Sequence, residues 1–276
     1  MQASTISMMD LETTAAAGWR APQEEWLGGW LLRAAEGFTG RANSALAAGD
    51  PGLPLGAAVT AVGAWYQARG LPPMIAVPFP MTGPGDSALD RLLASQGWPL
   101  RKAPAIVMTA ALRAITDQSG PAAADQGGPQ PVIAAEPDED WLACYHYLGQ
   151  ELAPIARTLM LSAPWQAFAS VREAGQTIAI GRVAAAGGWA GLTAIETDPA
   201  HRRRGLARRV TAALARATVT AEAAATGLYL QVEDGNTAAR ALYRSMGFTE
   251  HHRYHYRVAP PRALDPTGYR DVLPSP

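Results

Sequence analysis

Two spacings of apolar residues alternate along the second half of the chain. Residues 138–152, 202–225 and 236–246 carry apolar positions at helical intervals. Short apolar runs between them end at glycines or at Asp198-Pro199, and they predict strands. The predicted strands span residues 167–173, 177–185, 189–197, 228–232 and 248–258. The order of helix, antiparallel strands, helix, strand, helix and strand is typical of an α/β (α+β) fold.

The first half of the chain repeats this order in a weaker form. Its pattern predicts strands at residues 28–37, 41–49, 74–79 and 105–111, and helices at 54–69 and 87–96. The segment LLASQGW, residues 92–98, aligns with LYRSMGF, residues 242–248, at a constant offset of 150. A degenerate repeat of one fold explains this order. Two unrelated α/β lobes with the same helix–glycine–aromatic ending remain the alternative.

The change in composition between the halves predicts the domain boundaries. Residues 116–131 are rich in glycine, proline and small polar residues, without a periodic apolar pattern, and we interpret them as a linker. A first lobe, residues 1–115, precedes the linker, and a second lobe, residues 132–258, follows it. The proline-rich residues 259–276 are predicted to form an irregular tail.

Bulk composition excludes several classes of protein. The 276 residues are 48% hydrophobic and 17% charged, which is typical of a globular chain, and the net charge of -1 attracts neither nucleic acid nor membrane. The single cysteine, Cys144, excludes a disulfide framework and a cysteine-based zinc site. No secretory signal or membrane-spanning apolar run is visible, so we expect a cytoplasmic protein. The alanine- and arginine-rich composition suggests a bacterial genome.

The first candidate for chemistry is the strand–loop–helix segment around RRRGLARR, residues 202–209. A helix start leaves backbone N–H groups unpaired and carries the positive end of the helix dipole. Gly205 allows a ligand to approach the backbone closely, and diphosphate is a natural occupant of such a site. Arg203, Arg204 and Arg208 add positive charge. The alternative is an ordinary helix start with basic residues on a solvated face.

The second candidate is the pair Asn236 and Tyr243, which are seven residues apart and therefore share one helix face. The Asn236 amide can cap the helix or bind a ligand. The Tyr243 hydroxyl can donate a proton to a leaving group, or the ring can be an ordinary core aromatic.

Together these two features resemble the GCN5-related N-acetyltransferase (GNAT) family over residues 136–258. The family's acyl-CoA loop pattern, Arg/Gln-x-x-Gly-x-Gly/Ala, is met by Arg202, Gly205 and Ala207. Its late helix pattern, Asn-x-x-Ala-x-x-x-Tyr, is met by Asn236, Ala239 and Tyr243, followed by Gly247-Phe248. The whole chain resembles two-lobed members of the family, in which each lobe holds a mixed, mostly antiparallel sheet flanked by helices.

The resemblance implies direct transfer of an acetyl group from acetyl-CoA to a primary amine of a small molecule, peptide or protein. The histidines lack metal-ligand spacing, so we assign no metal, and the balanced charge leads us to expect no nucleic-acid or membrane partner. We expect a monomer or homodimer. The cofactor-binding residues that the resemblance implies are Ile195, Glu196, Thr197, Arg202, Arg203, Arg204, Gly205, Leu206, Ala207, Arg208, Asn236, Ala239 and Tyr243. In the first lobe the equivalent loop, Gly49 to Pro54, contains no basic residue, so only the second lobe is expected to bind CoA.

The resemblance assigns Tyr243 as the catalytic proton donor to the CoA thiolate, but it leaves the base open. Two positions where members of the family carry glutamate are occupied here by Gly191 and Gln231. The base is therefore Glu196 or a chain of water molecules. Strand alternation places Glu196 on the opposite face from Ile195 and Thr197, which is the argument against Glu196, since that face is directed away from the amine.

Other chemistry-bearing residues receive plainer interpretations. Cys144 is interpreted as a structural thiol, with His146 on a different helix face. The acceptor cleft is expected around residues 153–165 and the last strands, where His255 or Tyr254 could line it.

Two hypotheses extend or oppose this interpretation. The missing glutamates and the degenerate first lobe favour a catalytically inactive regulatory module that binds acyl-CoA and signals through its first lobe. The degenerate first lobe favours a scaffold that shapes the acceptor cleft, with CoA binding retained by the second lobe alone.

Overall fold

The computed structural model describes residues 6–82, 87–101, 104–117, 128–145, 152–221 and 223–260. Its strands are β1 Gln23–Leu27, β2 Trp30–Ala34, β3 Ala45–Ala47, β4 Met74–Pro80, β5 Ala105–Ala111, β6 Val132–Ala134, β7 Trp165–Glu173, β8 Gln176–Ala186, β9 Trp189–Thr197, β10 Gly227–Glu233 and β11 Thr249–Val258. Its α-helices are α1 Met8–Ala17, α2 Leu55–Gln67, α3 Ala88–Ser95, α4 Leu112–Asp117, α5 Glu139–Cys144, α6 Ile155–Met160, α7 Leu206–Thr220 and α8 Thr237–Ser245. Short 3-10 helices cover Arg41–Asn43 and Pro199–His201.

All of these strands form one mixed sheet in the order β1-β2-β3-β4-β11-β5-β10-β9-β8-β7-β6. Helices α2, α3, α7 and α8 pack on one face, where alternate residues of β5, such as Ile106 and Met108, join the core under α7 and α8. Helices α1, α5 and α6 cover the other face. Val107, between those two β5 residues, packs with Leu11 of α1 on that other face, as strand alternation requires. The mixed α/β fold is confirmed.

The last strand of each half lies in the sheet of the other half. β11 is antiparallel to β4 and to β5, and β5 is also antiparallel to β10. On either side of this centre a parallel pair follows, β3 with β4 and β9 with β10. Deleting the first 131 residues would remove β5 from between β10 and β11, so the full chain is the unit for experiments.

Helices α3 and α8 end in the same way, which supports the repeat seen in the sequence. Gly97 and Gly247 adopt left-handed backbone angles, with φ of 76° and 93°. The next residue donates its N–H back to the helix in both cases, Trp98 to Leu93 and Phe248 to Tyr243. This is the hydrogen-bonding pattern of a Schellman motif with glycine at its left-handed position.

Several predicted elements are shorter in the structure; the strand predicted at residues 28–37, for example, is reduced to β2. The strand predicted at residues 41–49 is reduced to β3, because the Asn43 amide bonds the backbone groups of Ala35, Gly37 and Thr39 and holds the preceding chain in a loop. The helix predicted at residues 138–152 ends at Cys144, and Tyr145 is extended. Residues 146–151, including His146, lie outside the described residues, as do most of the predicted linker and of the tail. None of the described helices is long and apolar enough to cross a membrane.

A buried ion-pair network joins α3 to β11. Asp90 accepts hydrogen bonds from Arg257 Nε at 2.8 Å and Nη2 at 2.9 Å, and its Oδ1 lies 2.6 Å from His255 Nε2. Burial by itself would raise the pKa of Asp90, but the hydrogen bonds from Arg257 and His255 hold this pKa below its ordinary value. The network therefore ties a helix of the first half to a strand of the second.

We expect Asp90→Asn to lower the free energy of unfolding by about 3 kcal/mol, because Arg257 and His255 would keep buried donors without a charged acceptor. Urea denaturation would measure the change, with Asp117→Asn at the exposed end of α4 as the matched control. Since the folded pKa of Asp90 lies below its unfolded value, the contribution is present above about pH 4 and is lost as the pH falls through the folded pKa. An unchanged urea midpoint at pH 7 would contradict this role.

Candidate functional site

Strands β9 and β10 pair at one end and part at the other. Their parallel pairing runs from Trp189 opposite Gly227 to Leu192 opposite Leu230, while β9 continues to Thr197. Ala194 has φ of 51°, and the pairing of β8 with β9 shifts register between Ile180 and Arg182. These features mark a β-bulge in β9 at the point where it separates from β10. The β9–β10 ladder therefore stops at Leu192 and Leu230, and β9 runs on beyond it to Thr197.

A cavity of about 370 Å³ fills the gap between the parted strands and extends between the two halves of the chain. Its lining comes from β9, β10, α8 and β11, from Tyr145, and from residues 39–41, 101 and 105 of the first half. The lining residues are Thr39, Gly40, Arg41, Arg101, Ala105, Tyr145, Leu192, Thr193, Ala194, Ile195, Glu196, Leu230, Gln231, Val232, Glu233, Asn236, Ala239, Tyr243, Tyr254, His255 and Tyr256.

The loop before α7 presents unpaired backbone donors. Gly205 adopts the left-handed conformation at φ 75° and caps the helix without a side-chain hydrogen bond. The first helical N–H to find its acceptor is that of Arg209, on the Gly205 carbonyl. The N–H groups of Leu206, Ala207 and Arg208 consequently point out of the helix start, where an anion is stabilised.

The arginines of this loop differ in what they contact. Arg204 forms a bidentate ion pair with Glu173 at 2.6 and 2.8 Å, and Arg208 donates to Ser245 Oγ at 2.6 Å. Arg202 makes a long hydrogen bond of 3.4 Å to the Thr197 carbonyl. Arg203 is exposed, has φ of 65°, and contacts no acceptor within the described part of the chain. Among the described residues, Arg204 is the arginine of this loop that pairs with a carboxylate, and Arg203 is the one that makes no side-chain hydrogen bond.

Asn236 and Tyr243 both line the cavity from α8. Asn236 Oδ1 accepts from the Ala239 N–H at 3.0 Å, which confirms the capping interpretation of this residue. Tyr243 is 7% exposed, and burial raises its pKa to about 12. Within the described residues its hydroxyl has no hydrogen-bond partner, while its ring packs edge-on against Phe248. The hydroxyl thus stays protonated and available to a ligand in the cavity.

The two positions without glutamate have distinct physical environments. A Cβ on Gly191 would lie 2.3 Å from the Tyr229 ring, so no larger side chain fits there. Gln231 Oε1 accepts from Arg41 at 2.7 Å and from the Tyr254 hydroxyl at 3.3 Å. Glu196, near the end of β9, also lines the cavity. It lies on the opposite face of the strand from Ile195, which packs on the core under α7.

The first half of the chain supplies cavity residues that the sequence patterns did not indicate. Thr39, Gly40 and Arg101 come from loops, where no periodic pattern or family motif marks them, and Arg41 begins a 3-10 helix where a strand is predicted. The expected segment 153–165 contributes no lining residue; it forms α6 and packs against β7 and β8. Tyr254 and His255, which the sequence offered as alternatives for lining the acceptor cleft, both line the cavity.

Cys144 has the environment of a structural thiol. Its Sγ donates to the Thr177 carbonyl at 3.2 Å, and burial together with Asp198 and Glu196 raises its pKa. Among the described residues, no group of histidine, cysteine and carboxylate side chains is arranged to hold a metal ion.

The fold is that of tandem GNAT proteins. A GCN5-related N-acetyltransferase from Kribbella flavida superposes with a TM-score of 0.67 at 16% identity, covering 93% of this chain and 97% of that one. A tandem GNAT protein from the clavulanic acid biosynthesis pathway superposes with a TM-score of 0.60 at 14% identity, covering 95% and 91%.

The chain belongs to the family described as "Probable histone acetyltransferase Rv0428c C-terminal", whose model matches residues 5–257. It is 30% identical over 266 residues to the probable histone acetyltransferase Rv0428c of Mycobacterium tuberculosis, covering 92% of this chain and 75% of that protein. It is 28% identical over 253 residues to the uncharacterized N-acetyltransferase YobR of Bacillus subtilis, covering 90% and 97%. The resemblance drawn from the motifs is confirmed at the level of the GNAT family.

We expect Gly191→Ala to lower the free energy of unfolding by about 1–3 kcal/mol, because its Cβ would overlap the buried Tyr229 ring. Thermal and urea unfolding would measure the change. Gly56→Ala on the exposed side of α2 is the matched control, since a Cβ there meets open space and should stabilise the helix slightly. Equal effects of the two substitutions would refute the steric explanation.

Proposed function

We propose that the chain transfers an acetyl group from acetyl-CoA directly to a primary amine of a small molecule, peptide or protein. The parting of β9 and β10 carries this proposal, because it opens a cavity that β9, β10, α8 and β11 line together with residues of the first half. A thioester arm can enter from α7 and α8, and an amine can enter from the side of Arg41 and Tyr145. The protein would act as a cytoplasmic monomer or homodimer.

In this proposal the CoA diphosphate binds the N–H groups at the start of α7, from Gly205 to Arg208, beside Arg203. The pantetheine amides pair with β9 at Ile195, Glu196 and Thr197, beyond the point where its ladder with β10 stops. Asn236 and Ala239 border the arm on the α8 side.

One CoA binds per chain. The equivalent loop of the first half, between β3 and α2, has no basic residue, and Pro51 and Pro54 lack N–H donors. The Asp50 carbonyl of this loop also accepts the Gly29 N–H, so the β1–β2 turn closes against it.

The chemistry requires two proton movements. The amine nitrogen attacks the thioester carbonyl carbon, a base takes a proton from that nitrogen, and the C–S bond breaks as Tyr243 donates its proton to the sulfur. Because burial raises the pKa of Tyr243 to about 12, the donor stays protonated at any physiological pH. Glu196, or water molecules in the cavity, accept the amine proton.

We expect Tyr243→Phe to lower kcat for CoA release by about 100-fold near pH 7 while the Kd for acetyl-CoA stays unchanged, because only the proton donor is lost. The loss should shrink above about pH 8.5, where a free thiol leaves readily as thiolate. Free CoA release would be measured with a panel of primary amines from pH 6.5 to 9.5.

Tyr66→Phe is the matched control, because Tyr66 is also buried, with a pKa raised to about 12, but belongs to α2 and does not line the cavity. It should leave kcat unchanged. A Tyr243→Phe variant with wild-type kcat would overturn the assignment of Tyr243. CoA-dependent thermal stabilisation without turnover of any amine would instead support the inactive acyl-CoA-binding module.

We expect Arg203→Gln to weaken CoA binding by about 10-fold and Arg204→Gln to weaken it much less. The Arg203 charge is uncommitted, whereas Arg204 is already neutralised by Glu173. Calorimetric titration with CoA at two salt concentrations would test this pair, and the salt dependence should decrease only in the Arg203 variant. A larger loss in the Arg204 variant would contradict the placement of the diphosphate.

A further inference from the structure

Two guanidinium groups from the first half contribute to the lining of the cavity. Arg41 and Arg101 both line the cavity. A Cβ on Gly40 would lie 2.9 Å from Arg101 Nη1, so the Arg101 guanidinium rests against the residue next to Arg41. The two cationic side chains therefore share one wall.

Arg41 is held in place by a neutral framework. Its Nη1 donates to Gln231 Oε1 at 2.7 Å, and its guanidinium carbon lies 5.4 Å from the centroid of the Trp19 ring. The same ring also contacts the buried Arg182, whose guanidinium carbon is 5.0 Å from the centroid. Burial, with Arg41 as a like charge nearby, lowers the pKa of Arg182 to about 9.

The loop that carries Arg41 is fixed before any ligand arrives. Asn43 Oδ1 accepts from the N–H groups of Ala35 and Gly37 at 2.8 and 2.9 Å, and its Nδ2 donates to the Thr39 carbonyl at 2.8 Å. Trp19 Nε1 donates to Thr39 Oγ1 at 3.2 Å. Side chains locked by such bonds can bind a group without losing much conformational entropy.

This positive wall lacks a counter-charge in the part of the chain that the structure describes. No described carboxylate lies within 4.0 Å of an Arg41 or Arg101 nitrogen, and the other cavity carboxylates, Glu196 and Glu233, are on β9 and β10. Arg41 is half-buried, whereas Arg101 is exposed. For Arg41, a partly desolvated guanidinium without a carboxylate is costly, and a bidentate anion relieves that cost. The volume of about 370 Å³ suits a small molecule.

We propose that the acceptor is a small primary amine that also carries an anionic group, carboxylate or phosphate, and that Arg41 and Arg101 bind this group. The inference rests on the proposed acetyl transfer and names its substrate class. The anion at the positive wall directs the amine of the same molecule toward the gap between β9 and β10, where the thioester arm ends. Acetylation changes only the amine, so the product keeps its anionic group and can still bind Arg41 and Arg101.

Matched pairs of acceptors test the proposal on the full chain. CoA release would be followed with a panel of amino acids against their C-terminal amides, with phosphoethanolamine against ethanolamine, and with a lysine-rich peptide. We expect the anionic member of at least one pair to be preferred by 10-fold or more in kcat/KM. Arg41→Gln and Arg101→Gln should each reduce that kcat/KM by about 10- to 100-fold, mainly through KM, with little change for the neutral member.

Arg20→Gln, an exposed arginine outside the cavity, is the matched control and should leave every ratio unchanged. Arg41→Lys keeps the charge but loses the bidentate fork, so it should recover part of the preference. Preference for the neutral member in both pairs, or for the lysine-rich peptide, would overturn the proposal while leaving acetyl transfer intact.

A binding measurement separates this proposal from the proposed function. Calorimetry on the CoA-saturated protein would compare N-acetyl amino acids with their amides, and N-acetylated phosphoethanolamine with N-acetylethanolamine. Tighter binding of the anionic members, lost in Arg41→Gln, supports the anion site even if no amine is turned over. Absence of such a preference, with or without turnover, contradicts it.

Discussion

The pairing of β11 between β4 and β5 is the constraint on which the rest of this structure depends. It places a strand of the second half inside the sheet of the first, while β5 lies beside β10 in return. Ladder hydrogen bonds at three successive strand interfaces then hold the two halves at one fixed relative position. The Asp90 network with His255 and Arg257 adds a charged tie across the same seam. Because Tyr254, His255 and Tyr256 are on β11, the cavity wall exists only when this exchange has formed.

The exchange also explains how a half without a cofactor motif contributes to the site. The loop of residues 35–43, pinned by Asn43, reaches the cavity beside β11, and Arg101 donates its N–H to the Tyr256 carbonyl where β5 is about to begin. The first half thus supplies one wall of the cavity. The first half resembles the second half in fold, but the cavity residues that it contributes do not belong to the sequence pattern that the two halves share.

The two positions without a family glutamate show how packing and chemistry are linked. Tyr229 fills the space beside Gly191, so a carboxylate there would overlap a buried ring. Gln231 provides a neutral acceptor to Arg41, and a glutamate would neutralise that arginine instead. The amide at this position leaves the guanidinium charge available to a ligand. Glutamine in place of glutamate at position 231 therefore removes a candidate base and, at the same time, does not neutralise the charge of Arg41.

The sequence by itself determined the GNAT fold, the repeat, and the residues that surround the start of α7 and line α8. Those features depend on local physics: apolar spacing, a left-handed glycine, unpaired N–H groups and an N-cap are encoded within a few residues. Tertiary structure alone decided the strand exchange and the cavity wall of Thr39, Arg41 and Arg101, since these arise from contacts between residues up to 190 positions apart. It also shortened the strand predicted at residues 41–49, where the Asn43 side chain competes for backbone groups. The short α1 escaped prediction because its alanine-rich sequence has little periodicity, although Leu11 is fully buried on the sheet.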